Sequence, residues 1–373
     1  MSEADVPEVE EGQELPEPPP SGPKEFPCQQ CGAKLAYAPG TRAQKCEYCG
    51  AENRIAQSEE DIKELDFDAH LKQAAEQQET VERLTVKCSA CGAAYTLEPN
   101  ITSADCAFCG SPIVAAGTSQ RVLKPQSLLP FKITREKARS SFMQWVASRW
   151  FAPNDLKKYA RTDSKLAGVY VPYWTYDSDT MSFYRGQRGD DYWTTVGSGK
   201  NKRRVKRTRW RSVSGTVWNR FDDVLVIASN SLPRKYAQAL EPWDLKNLEP
   251  YSDDYLAGFR AESYHVDLKE GFDNAKGIMD QTIRSTIRRD IGGDHQRIHS
   301  VRTQHSNVTF KHLLLPIWLS AYRYRDKAYR FLVNGRTGEV QGERPWSWIK
   351  ITLLVLSIIA LIAGGVVLFN MAQ

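Results

Sequence analysis

The chain contains 373 residues, of which 41% are hydrophobic and 25% are charged, and its formal net charge is +5. This composition is that of a globular protein, so it excludes a wholly disordered, collagen-like or fibrous chain. Only one stretch is long and apolar enough to cross a bilayer, which excludes a polytopic membrane protein.

The first part of the chain is acidic and rich in proline. Residues 1–25 carry eight acids and one base, a net charge of −7, so the rest of the chain carries +12. Because this segment has no apolar run, it is not a signal peptide, and its composition predicts a disordered tail. The basic remainder favours an anionic partner, either nucleic acid or an anionic membrane surface, although charge also serves solubility.

All eight cysteines lie in Cys-x2-Cys pairs, and these pairs form two sets with the same spacing. The sets fall within residues 26–55 and 86–115, and each cysteine of the second follows its counterpart by sixty residues. A match over eight positions predicts an internal duplication. The candidate ligands are Cys28, Cys31, Cys46, Cys49, Cys88, Cys91, Cys106 and Cys109.

Each Cys-x2-Cys pair forms a turn called a knuckle, and two knuckles supply four thiolates. Four thiolates favour tetrahedral Zn²⁺, with iron as the main competitor. The glycine after each second cysteine is expected to relieve crowding over the sulfurs. Four protein ligands leave no open position, so the sequence predicts two zinc ribbons with structural zinc ions. Disulfides and a thioredoxin-like redox pair are the alternatives; a reducing compartment opposes the first, and the short units oppose the second.

A helical linker is predicted over residues 56–85, and an α+β middle domain over 122–345. The middle domain is expected to combine a mixed antiparallel sheet with two helices. The first helix follows the N-cap residue Thr134, and the second covers about 270–290, because apolar residues recur there at helical spacing.

The segment 181–230 alternates in short runs and predicts an antiparallel meander, with turns at Gly186, Gly189 and 197–199. In addition, a Pro-x-Trp strand follows each predicted helix, at Pro172 and at Pro316. This recurrence suggests a second internal duplication.

A strongly basic segment lies within the predicted meander, where eight of the twelve residues from 200 to 211 are Lys or Arg. Aromatic residues Trp193 and Trp210 accompany it. The segment can bind anionic lipid or nucleic acid, or it can form the solvated face of a charged hairpin. The bases are Lys200, Lys202, Arg203, Arg204, Lys206, Arg207, Arg209 and Arg211.

No motif for catalysis is recognisable, so a non-enzymatic protein is expected. The sequence Gly197-Ser-Gly199-Lys200 lacks the first glycine and the final Ser or Thr of a phosphate-binding loop. No nucleophile elbow and no zinc-protease motif is present. Four histidines lie close in sequence, but the glycines before them predict a loop rather than a metal-binding helix; they are His295, His299, His305 and His312.

A transmembrane helix is predicted at residues 349–370. Residues 351–369 are uncharged and would span about 28 Å as a helix. Two tryptophans precede the helix as an interfacial belt, and Lys350 at its border is expected to snorkel. The excess of bases in 320–350 places the bulk of the chain in the cytoplasm, which predicts a tail-anchored, single-pass protein.

These features together resemble a group of bacterial zinc-ribbon membrane proteins. The resemblance covers residues 26–370 and rests on the doubled ribbon, on LLPF and WFAP around the first helix, and on GVYVPYWTY, FDDVLVIAS, VNGRTGEV and the anchor. Such proteins are often named "primosomal protein N′ (replication factor Y), superfamily II helicase" or "TFIIB-type zinc-ribbon protein". Without a phosphate-binding loop, helicase activity does not carry over. The resemblance implies an adaptor at the inner membrane, with membrane-organising SPFH or phage-shock-type partners.

Overall fold

The computed structural model describes residues 27–56, 62–74, 80–88, 94–96, 103–105, 112–114, 118–156, 166–325 and 327–371. The acidic segment 1–25 and its predicted disorder therefore lie outside the described residues. The helices in this part of the chain are α1 Phe67–Ala74, α2 Arg135–Ala147, α3 Arg234–Gln238, α4 Leu268–Ile291 and α5 Trp348–Met371.

Strands form small sheets in the ribbons and one nine-stranded sheet in the middle domain. The small sheets comprise β1 Leu35–Tyr37, β2 Ala43–Cys46, β3 Glu52–Arg54, β5 Thr80–Lys87, β6 Ala94–Thr96, β7 Ser103–Asp105, β8 Pro112–Val114 and β9 Thr118–Leu123. The nine-stranded sheet comprises β4 Leu65–Asp66, β10 Ser127–Leu128, β11 Ala167–Val196, β12 Arg203–Ile227, β13 Glu249–Pro250, β14 Arg260–Ala261, β15 His295–Tyr324, β16 Lys327–Asn334 and β17 Val340–Gly342. The predicted α+β class is confirmed, with the short α3 added to the two expected helices.

Capping residues fix where the two long helices of the middle domain begin. The Thr134 hydroxyl accepts a hydrogen bond from the Lys137 amide at the start of α2, and Asp267 caps α4 in the same way. Helix α4 ends at Gly292, whose φ of +63° favours glycine. Its buried face includes Phe272, Met279 and Ile287, whereas the apolar Ile278 is 37% exposed.

The antiparallel pairing and the turn at 197–199 are confirmed, but the turns predicted at Gly186 and Gly189 are wrong, because residues 167–227 form one long hairpin. Strands β11 and β12 pair without interruption by a turn at Gly186 or Gly189. A Cβ on Gly186 would lie 2.4 Å from the Arg297 carbonyl oxygen, and one on Gly189 would lie 3.0 Å from the Trp210 ring. Both glycines therefore mark a close approach inside a strand rather than a turn.

The middle domain is built from two similar halves. Each half runs from a short strand through a helix to a long strand and a returning strand, as β10-α2-β11-β12 and as β14-α4-β15-β16. The long strands are antiparallel neighbours. Each short strand pairs in parallel with the long strand of the other half, with Ser127 opposite Leu313 and Arg260 opposite Val169.

The hydrogen bonds of the two halves repeat as well. The Trp174 indole donates to the Val266 carbonyl at 2.9 Å, and the Trp318 indole donates to the Ile133 carbonyl at 3.1 Å. Each carbonyl belongs to the residue before a helix N-cap. These matches extend the Pro-x-Trp recurrence from the sequence to the strand pairing and hydrogen bonding of the two halves.

The first ribbon and the linker pack on the middle domain. The buried Tyr37 of β1 donates from its hydroxyl to the Phe131 carbonyl at 3.0 Å, and its amide donates to the Ala257 carbonyl at 2.9 Å. In the linker, β4 pairs with β15 beside Phe310. The linker predicted as helical over 56–85 therefore contains strands β4 and β5 besides α1.

Helix α5 is long and apolar enough to span a membrane by length and composition, over Trp348–Gly365. Its first turn is fastened to the segment that follows α2. The Lys350 ammonium donates to the carbonyls of Trp150 and Ala152 at 2.9 and 2.8 Å. Lys350 therefore bonds to the protein backbone, where the sequence predicted a side chain reaching to the interface.

Candidate metal centre

Four sulfur atoms of the first ribbon converge. The Cys28 and Cys49 Sγ atoms are 3.5 Å apart, and the Cys31 and Cys46 Sγ atoms are 3.6 Å apart. All four Sγ atoms lie within 4.8 Å of one another. A tetrahedral zinc ion with bonds of about 2.3 Å separates its ligands by about 3.8 Å. The cluster therefore fits a zinc site with four cysteine ligands and can hold a metal ion.

The two knuckles of this site have the same backbone structure. The Gly32 amide donates to the Cys28 carbonyl at 2.8 Å, and the Gly50 amide donates to the Cys46 carbonyl at 3.0 Å. The φ angles of the two glycines are +72° and +78°. A Cβ on either glycine would meet no atom within 4 Å. The glycines are thus needed for left-handed backbone, and the predicted relief of crowding is wrong.

Replacing Gly32 or Gly50 by alanine is expected to destabilise the ribbon by about 1–2 kcal/mol, because alanine is strained at positive φ. Thermal unfolding of the metal-loaded protein measures the effect. Gly277 in α4 is the matched control, since a Cβ there also meets no atom within 4 Å. Its change to alanine should stabilise the helix by about 0.5–1 kcal/mol. Equal midpoints for Gly32→Ala and the wild type would contradict the assignment.

In the absence of metal, the thiols of the cluster differ in pKa, and hydrogen bonds from backbone amides lower some of these pKa values. The pKa of Cys46 is lowered to about 6, first because the Cys49 amide donates to its sulfur. Hydrogen bonding from the Cys31 amide likewise lowers the pKa of Cys28. Although the Ala33 amide acts to lower it, the pKa of Cys31 is raised to about 12 by the Cys49 thiol, by burial and by other thiols. Because the cluster retains protons, a metal ion must displace them on binding.

The second ribbon repeats the strands of the first. Strands β2 and β3 place Ala43 opposite Arg54, and β7 and β8 place Ser103 opposite Val114, sixty residues later. Cys88 is buried against the core of the middle domain. Cys91, Cys106 and Cys109 lie outside the described residues, so the second metal site remains a prediction from spacing.

The basic segment lies in the hairpin at the far end of β11 and β12. Lys200 and Lys202 fall in the connection, and the other six bases lie on β12. Because successive strand residues face opposite sides, Arg204 and Lys206 lie on one face of the hairpin and Arg203 and Arg207 on the other. The structure therefore divides the eight bases between two faces.

The four histidines lie on β15, so the predicted loop is wrong. The His295 Nε2 atom is 3.0 Å from an Asp191 carboxylate oxygen, and the His305 Nδ1 atom is 3.2 Å from the Ser178 hydroxyl. His312 is buried, with its ring centre 4.5 Å from that of Trp174. Within the described residues these histidines do not converge on one metal site.

Sequence reasoning missed an acidic cluster where the linker meets the sheet. Carboxylate oxygens of Glu64, Asp177 and Asp222 lie within 4.8 Å of one another. The Lys311 ammonium lies 3.0 Å from Glu64 and 2.7 Å from Asp223. Burial raises the pKa of Asp177 to about 6, and the hydrogen bond from Asp177 lowers the pKa of Glu64 to about 2. The ion pair between Glu64, which precedes β4, and Lys311 on β15 fastens these two strands together.

A second missed group surrounds the fully buried Glu262. Ser229 donates to its carboxylate at 2.8 Å, Ser231 donates to the same oxygen, and His265 Nδ1 lies 3.5 Å away. Burial raises the pKa of Glu262 to about 8. Leu129 is the equivalent residue in the other half, because the backbone amides of Glu262 and Leu129 make corresponding hydrogen bonds to the neighbouring long strand. The carboxyl therefore occupies a core position, and its burial favours the neutral form.

Stability is expected to fall as pH rises from about 4.5 to 8, because the unfolded chain releases the Glu262 proton first. Between pH 6 and 8 the loss is about 2 kcal/mol, given about 1.4 kcal/mol per pH unit. Denaturant unfolding at several pH values measures this slope. In Glu262→Gln the slope should largely vanish, whereas Glu270→Gln, an exposed change on α4, should keep it. A slope unchanged in Glu262→Gln would contradict the assignment.

Comparison with known proteins gives one distant relative and no activity. The uncharacterized protein YdjG of Bacillus subtilis (strain 168) is 27% identical over 266 residues, which cover 65% of this chain and 73% of the relative. No family model matches the chain. No solved structure matches it either.

Proposed function

We propose that this chain is a non-enzymatic, zinc-binding adaptor, held at the cytoplasmic membrane by α5, which recruits protein partners through its cytosol-facing ribbons. The observation that carries this proposal is the closed cluster of Cys28, Cys31, Cys46 and Cys49. Four sulfur ligands complete a zinc coordination shell, so the metal stabilises a recognition surface and offers no position to a substrate.

The placement of the ribbon supports a scaffolding role. Tyr37 and Ile55 share the core of the middle domain, so one side of the ribbon is fixed to the body. Cys31, Cys49 and Tyr48 lie exposed on the ribbon. A small metal-bound module with one side fixed and the other exposed suits protein recognition. The expected partners are the membrane-organising proteins that the family resemblance implies.

Helix α5 supports the membrane-bound part of the proposal. Most of its described side chains are exposed, including Leu353, Leu356 and Leu361, and exposed apolar faces of this size mark contact with lipid or protein. Because its first turn is fastened through Lys350, the body would sit directly over the bilayer.

Cross-linked capture of the full chain from native membranes tests the proposal. The wild type should retain a defined set of membrane-organising proteins. A double variant, Cys46→Ser with Cys106→Ser, should lose them, since each ribbon then lacks one metal ligand. Gly277→Ala is the control and should retain the same set. Capture of the same proteins by the double variant would refute recognition through the ribbons.

A further inference from the structure

Positive charge is concentrated in one part of the sheet. The hairpin of β11 and β12 extends past the end of α4, and with the adjoining part of β15 it forms what we call the arm, residues 179–220 and 295–306. The arm holds thirteen Lys and Arg but only three Asp and no Glu, so its formal net charge is +10, against +5 for the whole chain. A partner of the arm is therefore expected to be anionic.

The two faces of the arm differ. One face is covered by α4, where Tyr184 and Val217 are buried with Ile287. The opposite face, which we call the open face, carries Phe183, Trp193 and Trp218, which are 42%, 60% and 68% exposed. A group of exposed rings on one face, rather than a single exposed ring, marks a candidate binding surface.

Bases alternate with these rings on the open face, because cross-strand partners share a face. Phe183 lies opposite Arg302 on β15, and Trp193 lies opposite Lys206 on β12. The Arg297 guanidinium is 3.9 Å from the centre of the Trp210 ring. Between the rings are hydroxyl and amide groups, contributed by Ser212, Ser214, Thr216, Ser300 and Gln187.

The aromatic positions span a length suited to a polymer. Trp218 is level with Met181 in the sheet, and Trp193 lies twelve residues further along β11. At about 3.3 Å per residue, the rings extend over about 40 Å of strand. A single phosphate or nucleotide would occupy a small part of this surface.

We propose that the open face binds single-stranded nucleic acid. Aromatic rings stack on bases whatever their sequence, and Lys, Arg, Ser and Thr contact the phosphates. An acidic protein segment would satisfy the bases but would leave the exposed rings without a role. A bilayer that holds α5 is also a poorer match for the open face, because the two lie far apart along β15. The first turn of α5 lies near the Tyr324 end of β15, about 70 Å of strand from Arg302.

Binding of a labelled oligothymidine, longer than the roughly 4–16 nucleotides of single-strand sites, tests the proposal. The full chain in nanodiscs of zwitterionic lipid is titrated and followed by fluorescence anisotropy. The logarithm of the affinity should fall linearly with the logarithm of salt concentration, by about 0.7 per phosphate contacted. Trp193→Ala and Trp218→Ala should each weaken binding by about 5- to 150-fold.

Tyr48→Ala is the matched control, since Tyr48 is 86% exposed but lies on the first ribbon. It should bind oligothymidine like the wild type. Unfolding midpoints and zinc content identify variants that have not folded. If Trp218→Ala is one of them, Trp218→Tyr, which retains a ring, is tested in its place and should bind oligothymidine.

Three results would overturn the proposal. The first is absence of oligothymidine binding at low salt. The second is equal binding by the folded tryptophan variants, which would leave only non-specific charge attraction. The third is tighter, tryptophan-dependent binding of vesicles containing anionic lipid, or of a peptide of residues 1–25, which would assign the open face to a membrane or to an acidic polypeptide. None of these results bears on capture of proteins by the ribbons.

Discussion

Replacing Cys46 by serine is expected to remove one zinc ion per chain and to unfold the first ribbon. Cys46 is fully buried, and its sulfur is one of the four that converge. Zinc contributes about 10–16 kcal/mol to the folding of small metal modules, so the ribbon cannot retain its structure with three ligands. Elemental analysis measures the metal, and limited proteolysis measures the loss of structure.

Tyr48→Ala is the control for this prediction, because Tyr48 lies between Cys46 and Cys49 but is 86% exposed. It should retain the full zinc content and the proteolysis pattern of the wild type. Zinc content equal to that of the wild type in Cys46→Ser would refute the assigned ligand set.

Truncation of Trp318 to alanine should destabilise the middle domain by about 3–5 kcal/mol, the usual cost of removing a large core ring. Trp318 is 3% exposed, and its ring centre lies 4.9 Å from that of Phe131. The change also leaves the Ile133 carbonyl, at the entrance to α2, without its indole donor. Denaturant unfolding measures the loss.

Trp174→Ala is expected to cost a similar amount, because Trp174 makes the equivalent bond to Val266. Trp218→Ala is the control; its side chain is exposed, so the free energy of unfolding should change by less than about 0.5 kcal/mol. If only one of the buried tryptophans were important for stability, the two halves would not be energetically equivalent.

Features set by neighbours in sequence were predictable. The cysteine spacing identified the four converging sulfurs, and Thr134 marked the start of α2. Helix caps, knuckles and an apolar anchor each depend on a few adjacent residues, so their physical cause can be read directly from the chain.

Features set by distant residues were not predictable. Gly186 and Gly189 look like turn signals, but the Arg297 carbonyl and the Trp210 ring, which require a missing side chain there, come from other strands. In the same way, Glu262 finds its serine donors more than thirty residues away. No local pattern carries this information, so the long hairpin and the buried carboxyl emerge only from the fold.

The exchange of short strands makes the two halves of the middle domain depend on each other. A single half alone would leave β10 without its partner on β15 and would leave the carbonyl of Ile133 without the indole of Trp318. The two halves are therefore expected to fold as one cooperative unit, because each supplies a strand partner and an indole donor that the other lacks.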